Sequence, residues 1–273
     1  MRKWKTPRRL TLDANGNIAT AWLSDSRTVL FVSNRNGTWT LFKQGIDETT
    51  ADVLVEGHSI FLPRLSAEGS QVLYLSQTDP ASPSVLLSLM RVTVTGGPPQ
   101  LVLRDIGLGN YQCAHLPSTL CIIGKYEKEK VTFFSFDPER GIGRELLKMN
   151  GGIHDWSLSP DGRTLADFPH GHSIHFLSVE NGAVKEDRTV TLDEWLVDNG
   201  DWNADGSGFL IPSVTPAGTP VILEVNRAGK ASVVLEGAAS TPFEFMVQAP
   251  DSHHGILGAI VPGDDNAWMI DNF

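Results

Sequence analysis

Six polar or aromatic residues interrupt otherwise apolar segments of the sequence and could bind a ligand. They are Tyr111, His154, Asp155, Asn199, Asp201 and Glu244. Carboxylate, imidazole and amide groups bind small polar ligands and exchange protons, so a cluster of them would form a recognition site. A packing role competes with this interpretation, because Asp155 and Asp201 each directly precede a tryptophan and could form the same structural hydrogen bond twice.

A second group with potential chemistry is the run of closely spaced histidines at His170, His172 and His175. Such a run could present metal ligands from one face of a strand, with Asp167 nearby. The sequence suggests no fourth ligand, and Pro169–His172 is equally typical of an exposed turn. Three further histidines stand where strands begin in separate segments: His58, His115 and His154. They would form a metal site only if the fold brought them together, and we expect neither a metal nor another cofactor.

The elements that must position these residues are indicated by a repeated turn. Its clearest copy is Ser159-Pro160-Asp161-Gly162, which lies between two apolar segments and has the residues that favour a tight hairpin. Related segments occur elsewhere, and the last two are the fainter: Trp22–Arg27, Trp202–Gly208, Leu65–Ser70 and Val247–Ser252. Each copy therefore predicts a hairpin between two strands.

The spacing of these turns predicts the architecture. Their acidic residues stand at positions 25, 68, 161, 205 and 251, so the intervals are 43, 93, 44 and 46 residues. The interval of 93 contains two periods, and Ala114–Leu120 fits the missing turn without its Asp-Gly pair. A period in the forties with four short strand signals is typical of a β-propeller blade. Counting across the chain ends gives one more period of 47 residues, which closes a ring of six.

The sequence thus predicts an all-β, six-bladed propeller with four-stranded antiparallel blades. We expect one domain over residues 1–273. The blades are expected at approximately 13–57, 58–104, 105–149, 150–192, 193–237 and 238–273 plus 8–12. The segment 8–12 would add the outer strand of the last blade, which removes open sheet edges and fastens the ring.

Composition limits the partners of such a domain. The net charge of −10 argues against contact with a nucleic-acid backbone. A short basic cluster near the N-terminus, formed by Arg2, Lys3, Lys5, Arg8 and Arg9, is expected to be a solvated tail or a linker remnant. No apolar run has the length of a transmembrane helix or of a signal-peptide core, so we expect no membrane insertion by this segment.

Two cysteines, Cys113 and Cys121, flank the turn that lacks the Asp-Gly pair. If that hairpin is centred near Pro117, the two residues face one another on paired strands, and a cross-strand disulfide becomes geometrically feasible. Two buried thiols that pack as small apolar groups are the alternative. A disulfide would indicate an oxidising compartment.

Two segments, Trp156–Arg163 and Val32–Gly37, resemble the repeats of TolB-type, WD40-like bacterial propellers. The resemblance spans essentially the whole chain, although the third blade lacks the motif. The ending Asn266–Phe273 and the cysteine pair are similar to propellers at the C-terminal end of bacterial winged-helix regulators and serine/threonine kinases. In such proteins the resemblance implies a DNA-binding or kinase domain, a membrane helix and then an extracytoplasmic or periplasmic propeller.

The resemblance implies a non-catalytic binding or sensor module that recognises a protein or a small ligand. Propellers generally bind at the loops of one face or at the mouth of the central channel, and we expect the six residues named first to lie at that mouth. The alternative is a propeller enzyme, a lyase or hydrolase with a channel metal held by histidines and carboxylates.

Overall fold

The structure, a computed structural model, describes residues 7–13, 15–57, 59–77, 86–150, 155–180, 182–239, 241–259 and 267–271. In these parts the chain forms twenty-four strands in six antiparallel sheets of four strands each. The prediction of a six-bladed propeller with four-stranded blades is therefore confirmed. No helix in the described ranges is long and apolar enough to span a membrane.

The strands follow one another from the inside of each blade to the outside. The first three blades contain β2 (Asn17–Trp22), β3 (Thr28–Ser33), β4 (Thr40–Gly45) and β5 (Asp52–Val55); β6 (Ile60–Leu65), β7 (Gln71–Gln77), β8 (Leu86–Thr93) and β9 (Gln100–Ile106); and β10 (Leu108–Cys113), β11 (Cys121–Glu127), β12 (Lys130–Asp137) and β13 (Gly141–Asn150).

The other three blades follow the same plan. They contain β14 (Asp155–Leu158), β15 (Thr164–Phe168), β16 (Ser173–Glu180) and β17 (Ala183–Thr191); β18 (Asp201–Trp202), β19 (Gly208–Val214), β20 (Pro220–Asn226) and β21 (Ala231–Glu236); and β22 (Phe243–Gln248), β23 (His254–Ala259), β24 (Ala267–Asp271) and, from the start of the chain, β1 (Arg8–Arg9).

The sixth blade is completed by the N-terminal strand, as predicted. In β1, Arg8 pairs with Met269 and Arg9 pairs with Trp268 of β24. The backbone N–H of Leu10 extends this contact by donating to the Ala267 carbonyl at 3.0 Å. The strand is shorter than the predicted 8–12, but it still joins the two ends of the chain in one sheet.

The hairpins between the first and second strands share one hydrogen-bonding pattern. In four of them an aspartate carboxylate accepts the backbone N–H two residues later, at 2.8 to 3.0 Å: Asp25 to Arg27, Asp161 to Arg163, Asp205 to Ser207 and Asp251 to His253. The third blade lacks this aspartate, and a disulfide between Cys113 and Cys121 links the ends of its hairpin. Of the two alternatives for the cysteines, the structure contains the disulfide.

The hydrophobic core lies between the blades rather than at one centre. Across the described residues, each pair of adjacent blades encloses its own cluster of buried side chains. Between blades three and four, the Trp156 ring packs edge-on against Phe133 with 5.2 Å between centroids. A blade therefore buries its two faces only when both neighbours are present, which explains why the repeat needs a closed ring.

The innermost strands β2, β6, β10, β14, β18 and β22 surround the central channel. Side chains tie each of these strands to its neighbours: Thr20 Oγ1 to the Pro63 carbonyl, Tyr111 Oη to Leu62, Gln112 Nε2 to Trp156, Trp202 Nε1 to Ser157, Asn199 Nδ2 to Glu244, and Trp22 Nε1 to Val247. These contacts fix the positions of the strands that carry the channel residues.

Candidate functional site

In each blade, the backbone N–H of one residue closes the hairpin by donating to the carbonyl of a residue at the start of the second strand or directly before it. The residue two positions before this donor lies at the same level of the channel in all six blades. We call this set the channel ring: Ala21, Arg64, Gln112, Ser157, Asp201 and Val247. The pairing of these residues with the second strands has the same register in all six blades. All six line a cavity of about 420 Å³ at the hairpin end of the channel, which we call the hairpin-end cavity.

Two residues of opposite charge lie across the channel ring from one another. Arg64 belongs to the second blade and Asp201 to the fifth, so three steps around a ring of six separate them. The intervening residues on one side are the small or apolar Ala21 and Val247. The cavity therefore has a cationic wall and an anionic wall with open space between them.

An irregular strand positions Arg64. The ladder between β6 and β7 shifts register between Phe61 and Arg64, and Leu62 has a φ of 51°. A bulge re-aims the side chains that follow it, and a branched residue at positive φ costs about 1–3 kcal/mol. The Leu62 and Pro63 carbonyls accept hydrogen bonds from Tyr111 and Thr20, at 2.5 and 2.7 Å. Both neighbouring blades thus hold the strained segment in place.

The Arg64 guanidinium has unused hydrogen-bonding capacity. Its Nε is buried, and no acceptor among the described residues bonds to it. The ion pairs that the described side chains form do not include Arg64 either. No hydrogen bond among the described residues offsets the desolvation of Nε in this half-buried cation, although the charges of Asp201 and Asp155 act on Arg64 without direct contact.

Two carboxyl groups occupy the other side of the channel. Burial raises the pKa of Asp201, and the Arg64 charge and a hydrogen bond with Ser157 offset this only in part. Burial and then the nearby charge of Asp201 raise the pKa of Asp155 to about 6. Channel water still reaches Asp155, but protein surrounds the channel on all sides, so desolvation is the larger effect.

The remaining polar side chains of the ring, Gln112 and Ser157, bond to one another through Ser157 Oγ and Gln112 Oε1 at 3.3 Å. Gln112 donates through Nε2 to the Trp156 carbonyl at 3.4 Å and accepts at Oε1 from the Leu158 N–H at 2.6 Å. Asp155 likewise accepts the N–H of Trp156 at 2.9 Å and the Asn110 amide at 3.3 Å. Gln112 is committed to the contact between blades, whereas Arg64 retains the capacity to bind a ligand.

The six residues predicted from the sequence fall into separate places. Asp155 and Asp201 lie close enough for their charges to interact. Asn199 and Glu244 line a second cavity of about 530 Å³ at the opposite end of the channel. Tyr111 is fully buried, and its hydroxyl donates to the Leu62 carbonyl. His154 lies outside the described residues.

Asp155 and Asp201 do not occupy equivalent positions, although each precedes a tryptophan. Pairing with the second strand places Asp201 at the level of Ser157, one pleat closer to the hairpin than Asp155. A repeated packing role for the two aspartates is therefore not what the structure shows. They interact instead as neighbours on adjacent strands.

The histidines are distributed over several contacts. The Nδ1 atom of His170 lies 3.2 Å from Asp198, and that of His172 lies 2.9 Å from the Trp195 carbonyl. The Nδ1 atom of His175 lies 3.4 Å from Asp167. His115 lines the hairpin-end cavity, and burial lowers its pKa. His58 lies outside the described residues, as does His154. Within the described part, no group of three or more His, Cys, Asp or Glu could hold a metal ion.

Arg64 was missed at the sequence level, although one signal was present. It is the charged residue in the otherwise apolar segment Ile60–Leu65, which meets the criterion used for the other candidates. Its place opposite Asp201 depends on the bulge at Leu62 and Pro63, which shifts the strand relative to the simple alternation of side chains.

Comparison with solved structures places the fold. TolB from Acinetobacter baumannii superposes with a TM-score of 0.64 at 12% identity, over 91% of this chain and 64% of that chain. A gluconolactonase from Xanthomonas campestris gives 0.67 at 14% identity, over 99% and 91%. An oligogalacturonate lyase in complex with manganese gives 0.60 at 13% identity, over 100% and 99%.

The shared feature is the β-propeller fold. The chain spans 64% of the length of the TolB chain. No protein-family model matches the chain, and no curated protein matches its sequence. The TM-scores support the shared architecture, and identities of 12 to 14% support nothing beyond it. The proteins that share it include both TolB and enzymes.

Proposed function

We propose that this protein is a non-catalytic binding or sensor propeller that recognises a small polar ligand in the hairpin-end cavity. The observation that carries the proposal is the Arg64 guanidinium, whose buried Nε has no hydrogen-bond partner among the described residues and which faces Asp201 across that cavity. A half-buried cation with an unpaired buried N–H is unfavourable for folding, so a bound ligand would supply the missing hydrogen bond.

The cavity has the properties of a ligand site. Its volume of about 420 Å³ lies within the range of about 300–1,000 Å³ usual for small-molecule pockets. Every blade contributes to its lining, and a few charged groups stand among apolar ones such as Trp22, Leu65 and Trp202. Such a lining lets the apolar wall exclude water while the charged groups set specificity.

Blocking the cavity tests this proposal. Ala204 lines it from the turn of the fifth blade, so Ala204→Trp would fill its mouth. Ala228 occupies an exposed turn of the same blade, and Ala228→Trp is the matched control. A library of metabolites screened by thermal shift should give hits with wild type and Ala228→Trp that disappear in Ala204→Trp. Hits that survive in Ala204→Trp would contradict recognition in this cavity.

The setting of the module is also a proposal. The disulfide between Cys113 and Cys121 supports an oxidising, extracytoplasmic compartment. Together with the TolB-type resemblance, it supports a C-terminal module of a larger bacterial signalling or regulatory protein, in which ligand binding would change contacts with a protein partner. Thiol counting on non-reduced protein, with and without denaturant, should find no free thiol; two free thiols would remove this support.

A catalytic function is the second candidate, and the pair of raised carboxyl pKa values favours it. A carboxyl group with a pKa near 6 can act as a general acid or base at neutral pH. The fold is shared with a gluconolactonase and an oligogalacturonate lyase. Lactone hydrolysis or oligogalacturonate cleavage, measured with and without Mn²⁺, would favour this candidate if it were lost in Asp155→Asn and Asp201→Asn.

A further inference from the structure

We propose that the ligand of the hairpin-end cavity is a small zwitterion, with its carboxylate on Arg64 and its ammonium group on Asp201, next to Asp155. This inference rests on the proposed binding function and names the chemical class of the ligand. An amino acid or an ω-amino acid has this combination of groups, with overall neutral charge at neutral pH.

The anionic end of the ligand is defined by Arg64. A guanidinium is a planar donor that binds a carboxylate through two parallel hydrogen bonds. Its buried Nε has no acceptor within the described parts of the chain, and the strained backbone of Leu62 lies two residues before it. A carboxylate in the cavity would supply this acceptor and a negative charge in direct contact with the guanidinium.

The cationic end is defined by the two aspartates. Asp201 lines the cavity on the wall opposite Arg64, and its charge acts on Asp155 from the adjacent strand. Two carboxylates that repel one another bind a cation favourably, because the cation offsets the repulsion between their charges.

The charge balance separates a zwitterion from simpler ligands. The cavity lining contains Arg64 with the carboxyl groups of Asp201 and Glu68, and Asp155 lies next to Asp201, so a simple anion would bring a further negative charge into a site that is already negative. A simple cation would satisfy the aspartates and leave Arg64 unpaired. Only a ligand with both charges satisfies both walls, and its net charge adds nothing to the imbalance.

Calorimetric titration with defined probes tests the proposal. Glycine, 4-aminobutyrate and 6-aminohexanoate present the two charges at increasing separation. Butyrate and butylammonium carry one charge each and match the middle probe in size. We expect at least one zwitterion to bind about tenfold or more tightly than butyrate or butylammonium, because one additional charge-assisted contact forms. Equal affinities for the zwitterions and for the singly charged probes butyrate and butylammonium, or no binding by any zwitterion, would overturn the proposal.

Two variants assign the ends of the ligand. Arg64→Gln should remove the preference for the zwitterion over butylammonium, and Asp201→Asn should remove the preference over butyrate. Arg91→Gln is the matched control, because Arg91 lies on the same blade and pairs with Glu139 outside the cavity. Loss of binding in Arg91→Gln to the same extent as in Arg64→Gln would contradict a local role of Arg64. If a variant does not fold, the comparison of zwitterions with singly charged probes on wild-type protein still tests whether the ligand is a zwitterion.

The sign of the pH dependence gives an independent readout. Asp155 has a pKa of about 6, so acidification from about pH 7.5 to 5 should protonate it and weaken zwitterion binding, whereas a simple anion would bind more tightly. The other titratable or charged groups described near the site are Arg64, Asp201, His115 and Glu68 at the cavity, the fully buried Tyr111, and Tyr126 close to Asp155. In Asp155→Asn, zwitterion binding should therefore weaken less between about pH 7.5 and 5 than it does in wild type. Tighter zwitterion binding at pH 5 would overturn the assignment of the ammonium group.

The two proposals can fail separately. Library hits that Ala204→Trp removes but that do not depend on Arg64 would retain the binding function and reject the zwitterion. Zwitterion binding that persists unchanged in Ala204→Trp would reject the cavity as the site, and with it both proposals.

Discussion

Asp155 and Asp161 lie six residues apart in the fourth blade, yet their surroundings move their pKa values in opposite directions. At Asp161 partial burial raises the pKa. Hydrogen bonds from Ser159 and the Arg163 N–H, together with nearby arginine charges, lower it by more, so the net shift is downward. At Asp155 burial and the charge of Asp201 prevail, and the pKa rises to about 6. The hairpins therefore stabilise the fold, whereas the channel retains charges that the fold does not satisfy.

The largest expected effect concerns the third blade, where a disulfide replaces the aspartate-glycine turn. The double substitution Cys113→Ser and Cys121→Ser should lower the free energy of unfolding by about 2–3 kcal/mol, because the link no longer restricts the unfolded chain. Urea unfolding followed by tryptophan fluorescence measures this loss.

Reduced wild-type protein is the control for the serine substitutions and should lose a similar amount. If the doubly substituted protein unfolded at the same urea concentration as oxidised wild type, the third hairpin would not depend on the disulfide. The contrast between scaffold and channel would then be weaker at this blade.

Two glycines with the same backbone conformation sharpen the comparison among the hairpins. Gly162 and Gly206 both have a φ of 71°. A Cβ at Gly162 would lie 2.5 Å from Ser118 Oγ in the third hairpin, whereas at Gly206 the nearest atom, in Pro160, is 3.6 Å away. Gly206→Ala should cost about 1 kcal/mol for the left-handed backbone alone. Gly162→Ala should cost about 1–2 kcal/mol more, because the third hairpin must move.

Urea unfolding of both variants tests this difference, and Ser118→Ala supplies the control. In the Gly162→Ala background, Ser118→Ala should recover part of the additional loss, since it removes the nearest atom. Equal losses for the two glycine variants would show that the third and fourth hairpins are not packed as tightly as their hydrogen bond from His115 N–H to the Pro160 carbonyl, at 2.7 Å, implies.

The hairpins were predictable from the sequence because their chemistry is local. Residues such as Asp161 and Gly162 bond or turn within a few positions of themselves, so their period revealed the six blades even where the third copy was degenerate. The disulfide was foreseen as one of two alternatives, because the distance between paired strands follows from the hairpin.

The channel site was predictable only in part because it depends on register between blades. Asp155 and Asp201 were named as candidates and stay a prediction, but their equivalence was wrong, since the same Asp-Trp pair occurs at two levels of the inner strand. Arg64 was missed because the bulge at Leu62 and Pro63 determines where its side chain points. No periodicity of residue types predicts which residues face one another across a ring.

A smaller effect is expected for the hairpin carboxylate itself. Asp161→Ala should lower the free energy of unfolding by about 1 kcal/mol at neutral pH, because the Arg163 N–H and the Ser159 hydroxyl lose their acceptor. The folded-state pKa of Asp161 lies below its ordinary value of 3.8, so its contribution is complete above that value and is lost as the pH falls through the lowered pKa.

Unfolding measured between about pH 7 and pH 2 should show the gap between wild type and Asp161→Ala closing only in the acidic part of the range. Asp187→Ala is the control, because Asp187 is exposed on the outer strand of the same blade. A gap that stayed constant down to pH 2 would mean that the carboxylate charge does not stabilise the hairpin.

The smallest expected effect has the opposite sign and concerns Asp155. Because the folded-state pKa is raised from 3.8 to about 6, ionisation costs stability, and the stability of wild type should decrease as the pH rises through this interval. Asp155→Asn retains an oxygen for the Trp156 N–H and removes the charge. We therefore expect a slightly higher melting temperature than wild type at about pH 7.5, with no gain below about pH 4.

Thermal unfolding at the two pH values measures both, and a variant less stable than wild type at pH 7.5 would place Asp155 with the hairpin residues. A stabilised variant that binds 4-aminobutyrate more weakly would instead show that the channel carboxyl is kept for its ligand at the expense of stability.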